Sequence, residues 1–246
     1  MIRRFVRLAG IALGVLTLVP LHYLWRLVGA RSPWPRRFLW WAGWCAGLRI
    51  TVRGEHRRRD VMFVANHLSW LDILAIGGHT GAAFVAKAEL ADFPVIRWLC
   101  GLNDTIFVER EDRGALREQA ETVRAALARR RAVAVFPEAT TTGGADTLPF
   151  RASLLSALFP PLADVQLQPI ALDFGARADE VAWIAEHGAD NARRLLSRPG
   201  TIPLILHFLP PIDPAGPGAD RKLLASRSRD AIVAALGASA AQPAAL

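Results

Sequence analysis

From about residue 60 onward, short apolar runs that suit buried strands alternate with amphipathic runs that suit helices, and this alternation restricts the fold more than any other feature of the chain. "DVMFVAN" (60–66), "AAFVAK" (82–87), "DTIFVE" (104–109), "AVAVFPE" (132–138), "VQLQPIALDF" (165–174) and "TIPLILHFL" (201–209) read as strands. Between them, "SWLDILAIGG" (69–78) reads as a helix stopped by its glycines, and "FPVIRWLCGL" (93–102) as one with proline near its start. "GALREQAETVRAALARRR" (114–131) places Leu116, Ala120, Val123 and Leu127 on one helical face, and "FRASLLSALF" (150–159) reads as a further helix. Strands alternating with helices predict an α/β fold with a largely parallel sheet flanked by helices. The chain is long enough for one such domain with a short appendage. We see no internal repeat.

The appendage is the N-terminal segment. Eighteen residues between Arg7 and Arg26, "LAGIALGVLTLVPLHYLW", carry no formal charge, which is the short limit for a spanning helix. A second apolar run, "FLWWAGWCAGL" (38–48), is too short to span. Five of the eight tryptophans (Trp25, Trp34, Trp40, Trp41, Trp44) lie here, and tryptophan favours the headgroup layer of a bilayer. Residues 1–55 are therefore read as a basic, Trp-rich helical hairpin dipped into one leaflet, with a single spanning helix as the second choice. A cleaved signal peptide ending at Ala30 is a weaker reading, because Trp25 and Arg26 interrupt the approach to the cleavage point. The α/β domain is placed at 56–232, and 233–246 as an Ala-rich tail that frays.

The net charge of +8 is unevenly placed. Residues 1–59 hold 12 arginines against Glu55 alone, and residues 60–246 hold 18 basic against 21 acidic side chains. A nucleic-acid enzyme carries its basic stripe on the folded body, so nucleic acid is not expected as a partner. The basic part is also the most apolar part, which suits a membrane surface bearing anionic lipid. Six scattered histidines without helical ligand spacing give no metal site, and the two distant cysteines suit a reduced compartment.

The residues suited to chemistry sit at strand ends. In "VANHLSWLDILA", His67 follows the first strand and Asp72 lies one helical turn into the next element. Two readings are open. Ser69 and Asp72 fit a capping box, in which Asp72 needs no catalytic role. Alternatively the Asp72 carboxylate meets one imidazole nitrogen of His67, fixes the tautomer and leaves the other nitrogen free as a base. The two are compatible, since a carboxylate accepts several hydrogen bonds. With no G-x-S-x-G elbow anywhere, Ser69 is a poor nucleophile, and an incoming substrate hydroxyl is the simpler proton source. Arg110 and Glu138 end two further strands; singly each reads as a loop charge or a turn carboxylate, but together with His67 they outline a pocket.

These segments resemble the glycerolipid acyltransferase family that includes the 1-acyl-sn-glycerol-3-phosphate acyltransferases. Asn66-His67-Leu68-Ser69-Trp70-Leu71-Asp72 matches the family's N-H-x-S-x-x-D in full, and Ile106-Phe107-Val108-Glu109-Arg110 matches its second motif. Phe136-Pro137-Glu138-Ala139-Thr140-Thr141-Thr142 meets the third, F-P-E-G-T-R-S, and Gln168-Pro169-Ile170-Ala171 the fourth. The resemblance implies a glycerol-3-phosphate acyltransferase-like fold at the inner membrane, with the catalytic domain on the cytoplasmic side. It implies transfer of an acyl chain from acyl-CoA or acyl-carrier-protein, as co-substrate rather than bound cofactor, to the free hydroxyl of 1-acyl-sn-glycerol-3-phosphate. His67 would be the general base and Asp72 its orienting partner. Ser69, Arg110, Glu138, Thr140 and Thr141 would hold the lysophospholipid.

The third motif departs from the family twice. Ala139 replaces the usual glycine, which bears on any need for positive φ there. Thr141 stands where the family often has arginine, removing a bidentate phosphate fork. Either Arg151, at the start of the next helix, compensates, or the acceptor is not a phosphate monoester. Relatives with a Thr- or Ser-rich loop here include enzymes that complete ornithine lipids, so a lyso-ornithine-lipid O-acyltransferase is the alternative within the enzyme class. A non-catalytic membrane scaffold is the alternative outside it.

Overall fold

The computed structural model describes residues 2–29, 31–108, 113–144 and 147–241. Seven strands form one sheet: β1 (Leu48–Arg53), β2 (Val61–Ala65), β3 (Ala83–Lys87), β4 (Ile106–Val108), β5 (Ala132–Val135), β6 (Gln166–Asp173) and β7 (Ile202–Phe208). Their spatial order is β1-β7-β6-β2-β5-β3-β4, and every neighbouring pair is parallel except β6 with β7. The largely parallel sheet read from the alternation is thus the one observed.

All five residues of β2 are buried, as expected for a central parallel strand covered on both faces. Its period of two divides them between two cores. Val61, Phe63 and Ala65 pack with α3 (Leu71–Thr80) and α7 (Gly188–Ser197) through Leu71, Ala75, Ile76, Leu195 and Leu196. Met62 and Val64 pack on the other face with α5 (Arg113–Ala128) and α8 (Arg221–Ala241) through Val123, Leu127, Leu224 and Ile232.

The N-terminal segment is a helical hairpin, α1 (Ile2–Arg26) against α2 (Trp34–Ala46). The Trp41 indole N–H donates to the Gly10 carbonyl at 2.8 Å, and a Cβ on Gly14 would meet Trp41 at 2.5 Å, so small residues let the two helices close. Arg7 donates to the carbonyls of Leu195 and Gly200 at the end of α7, where a helix terminus favours a cation, and so ties α1 to the body. Among the described residues α1 alone is long and apolar enough to cross a membrane, and Phe5, Leu16, Leu24 and Trp25 on it are exposed.

Four expectations change. β1 falls inside the stretch read as hairpin: Leu48, Ile50 and Val52 alternate with Arg49, Thr51 and Arg53, and this edge strand pairs in register with Ile202–His207. The body therefore begins before residue 56. At the other end, α8 crosses the 232/233 boundary and continues to Ala241, because alanine is the strongest helix former; residues 242–246 lie outside the description. Residues 152–158 form a seven-residue 3₁₀ segment rather than an α-helix, confined by Pro149 before it and Pro160 after it. Finally, α3 is not stopped by Gly77 and Gly78 but runs to Thr80. A Cβ on Gly78 would lie 2.7 Å from the Trp40 backbone nitrogen, so the glycines admit α2 rather than ending α3. α7 was not read from sequence at all.

Candidate active site

Asn66 follows β2 and holds the loop in line with the sheet. Its amide donates to the Leu172 carbonyl at 3.0 Å and accepts from the Leu172 N–H at 2.8 Å, extending the β2–β6 ladder by one side chain. His67 comes next, at the C-terminal end of the central strand, with its side chain 18% exposed. Its carbonyl accepts from the Thr142 N–H at 2.8 Å, and the Leu68 carbonyl accepts from the Trp183 N–H at 2.9 Å. Two neighbouring loops thus grip the backbone on which the imidazole stands.

Asp72 is fully buried, and one of its oxygens, Oδ2, receives three donors: Leu68 N–H at 2.6 Å, Ser69 N–H at 2.8 Å and His67 Nδ1 at 2.8 Å. The contacts that both readings of the pair require are made by this one atom. The carboxylate accepts the Leu68 and Ser69 N–H groups of the loop that enters α3, whose N-cap is Trp70 rather than the expected Ser69, and it also accepts a hydrogen bond from His67 Nδ1–H, which leaves Nε2 as the acceptor of a neutral ring. The imidazole lies flat on Phe136, with ring centroids 3.9 Å apart and planes 14° apart, and Phe84 stacks beyond Phe136. A stacked face leaves the ring edge open, and Nε2 makes no hydrogen bond among the described residues. This arrangement can accept a proton from a hydroxyl brought to it.

Glu138 follows the neighbouring strand β5 and is buried, with neither carboxylate oxygen in a hydrogen bond of ordinary geometry, although Thr142 and the His67 backbone lie close to it. Burial, then the Asp72 charge, pushes its carboxyl up to about 8, although Thr142, Arg229 and the His67 amide oppose the rise. A carboxyl raised this far favours its neutral form near pH 7, which avoids a second buried charge beside Asp72. A carboxyl at about 8 in the fold and 4.5 in the free chain binds more protons folded than unfolded between those values. Its contribution to stability is accordingly lost as pH rises through that window. Unfolding of the Glu138→Gln protein in urea, followed across pH, should show wild type losing stability relative to the variant between about pH 4.5 and 8. A constant difference would show that the carboxyl titrates normally.

The other expected site residues separate. Ser69 is fully buried, its Oγ accepting the Leu71 N–H at 3.2 Å, so it shapes the loop and presents no surface to solvent. Ala139 adopts φ +63°, the left-handed conformation that its usual glycine would enter without strain. Thr140 is exposed, whereas the Thr141 hydroxyl donates to the Trp183 carbonyl. Arg151 is exposed and pinned by its own N–H to the Pro137 carbonyl at 2.9 Å, and its guanidinium makes no hydrogen bond or ion pair among the described residues. Arg110 lies outside the described residues. Sequence reasoning missed Asn66, Phe136 and the Trp183 loop. Trp70, at the end of the His67 loop, donates to Asn191 Oδ1 of α7 at 3.0 Å, and the Asn191 amide donates at 3.3 Å to the Ala182 carbonyl beside Trp183. Asn66 and Phe136 stood inside recognised motifs without a role, but nothing in the sequence marks Trp183 as a neighbour of residue 141.

His67 and Glu138 follow adjacent parallel strands, with Asp72 reaching back from the first turn of α3, and comparison with known proteins gives the class of protein in which this arrangement stands, the acyltransferases. Residues 49–173 match the family described as Acyltransferase, and the chain belongs to it. A lyso-ornithine lipid O-acyltransferase of Pseudomonas aeruginosa is 33% identical over 97% of this chain and 93% of its own length. A 1-acyl-sn-glycerol-3-phosphate acyltransferase of Neisseria gonorrhoeae is 32% identical over 60% of this chain and 53% of its own. In fold, the chain is similar to the crystal structure of the 1-acyl-sn-glycerophosphate acyltransferase PlsC from Thermotoga maritima, with a TM-score of 0.71 at 22% identity, covering 99% of this chain and 97% of that one.

Proposed function

We propose that this acyltransferase esterifies the free hydroxyl of a lyso-ornithine lipid, using acyl-CoA or acyl-carrier-protein as donor. His67 Nε2 takes the hydroxyl proton as that oxygen attacks the thioester carbonyl carbon; the C–S bond breaks, and the thiolate leaves and is protonated by the imidazolium. Asp72 holds Nδ1–H and offsets the charge the ring gains. The α1–α2 hairpin, with its exposed apolar residues, would rest in the cytoplasmic leaflet and bring the site to its lipid.

The observation that carries the acceptor choice is Thr141. It occupies the family's arginine position, and its hydroxyl is committed to the Trp183 carbonyl, so no bidentate phosphate fork forms there. The long match to a lyso-ornithine lipid enzyme supports the same reading. Arg151 favours a second: an unpaired guanidinium beside the third-motif loop suits a phosphate monoester, hence 1-acyl-sn-glycerol-3-phosphate. The readings part in a panel of lyso-lipid acceptors assayed in detergent micelles with one radiolabelled donor of each kind. We expect kcat/KM for lyso-ornithine lipid to exceed that for lysophosphatidate by at least about tenfold, a difference of ~1.4 kcal/mol in transition-state binding. The opposite order would install the phosphate reading, and no transfer to any acceptor would leave a scaffold.

A further inference from the structure

At the end of the sheet opposite His67 lies a cavity of about 380 Å³. It is bounded by the last turn of α1, the α1–α2 loop, the ends of α3 and of α4 (Pro94–Leu102), and the residues that enter β2 and β5. A five-residue strand separates the two ends by about 17 Å, so this is not the catalytic site. Arg26, Arg31, Arg36, Arg58 and Arg131 line it, against one carboxylate, Asp104, which is already bonded to Arg131. The other four guanidiniums have no hydrogen bond or ion pair among the described residues. Burial and the Arg131 charge hold the Arg31 pKa below its ordinary value, with Asp104 opposing. Arginines gathered without counter-charge repel one another, and an anion seated among them would relieve that.

Its surroundings decide between anions. On one side, α1 exposes Leu24 and Trp25, followed by Leu27 and Val28; on the other, α4 exposes Val95, Ile96 and Trp98. The two apolar faces are joined by the Trp98 indole N–H donating to the Tyr23 hydroxyl at 3.1 Å. A soluble phosphate has no use for such flanks, whereas a phospholipid would lay its chains on them and its head group among the arginines.

We propose that this cavity is a binding site for the phosphate of an anionic phospholipid, distinct from the acceptor site, and that α4 enters the membrane interface beside α1. It rests on the hairpin being the membrane-facing part of the chain. The test is flotation of the full chain with vesicles of phosphatidylcholine alone or mixed with phosphatidylglycerol. R31Q/R36Q/R58Q is compared with R53Q/R129Q/R227Q, which removes equal charge from exposed positions outside the cavity. The cavity variant should bind mixed vesicles roughly 10- to 100-fold more weakly than wild type, and the control variant less than about threefold more weakly. Equal loss in both variants, or loss in neither, would overturn the site. So would displacement from mixed vesicles by inorganic phosphate at constant ionic strength, which would make the ligand a free anion. Failure of every protein to bind phosphatidylcholine would count against the hairpin as anchor, while the contrast between the two variants still reports on the cavity.

Discussion

Replacing His67 with alanine should lower kcat by about 10²–10⁴-fold, the contribution of a positioned general base. The protein should stay folded. The imidazole is partly exposed and rests on one ring face; its removal forfeits a hydrogen bond and a stacking contact, while Asp72 Oδ2 keeps its two backbone donors. Such a loss is about 1 kcal/mol, or a shift of roughly 2–4 °C in Tm for a chain of this size. KM for the acceptor should change little, because the ring edge acts on the proton in transit rather than on the head group. Turnover is measured with the preferred acceptor beside a urea unfolding curve of the same preparation. A folded variant turning over at the wild-type rate would remove the base from the mechanism and leave His67 a loop residue.

Much of the fold was legible because its central strands bury both faces, which writes unbroken apolar runs into the sequence. β2 and β6 came out within a residue at each end, and β5 at its start, although it ends at Val135 rather than at Glu138. The edge was harder. β1 alternates cleanly, but it begins at Leu48, directly after the Trp-rich run, and three of its last four residues are exposed. Its partner β7 lies some 150 positions away, so no local signal ties them. The glycines of α3 misled for a related reason. Local chemistry reads two glycines as a stop, whereas the packing of α2 across them is a tertiary fact.

In the site, type and spacing identified the His67–Asp72 contact, since five residues at a strand–helix junction bring a carboxylate back to the preceding loop. Thr141 was legible as a departure from arginine but not as a structural tie, because its partner carbonyl arrives from residue 183. Glu138 was legible as a strand-end carboxylate, whereas its retained proton depends on burial and on Asp72, which are properties of the fold.

Asp72 separates the two roles that its carboxylate combines. Asp72→Ala strands two buried backbone N–H groups and the His67 Nδ1 proton; at about 1–3 kcal/mol for each buried donor, the protein should lose roughly 2–5 kcal/mol along with its activity. Asp72→Asn keeps an oxygen where Oδ2 stands and places its amide nitrogen where Oδ1 is buried without a partner, so capping survives at a smaller cost. What it lacks is the negative charge that steadies an imidazolium, and its kcat should still fall by about 10²–10⁴-fold. Combining either change with His67→Ala should lower kcat no further than the worse single change, because the two residues act as one unit. If Asp72→Asn turns over like wild type while Asp72→Ala loses activity only as far as it loses folded protein, the carboxylate is a helix cap and the imidazole needs no orienting partner.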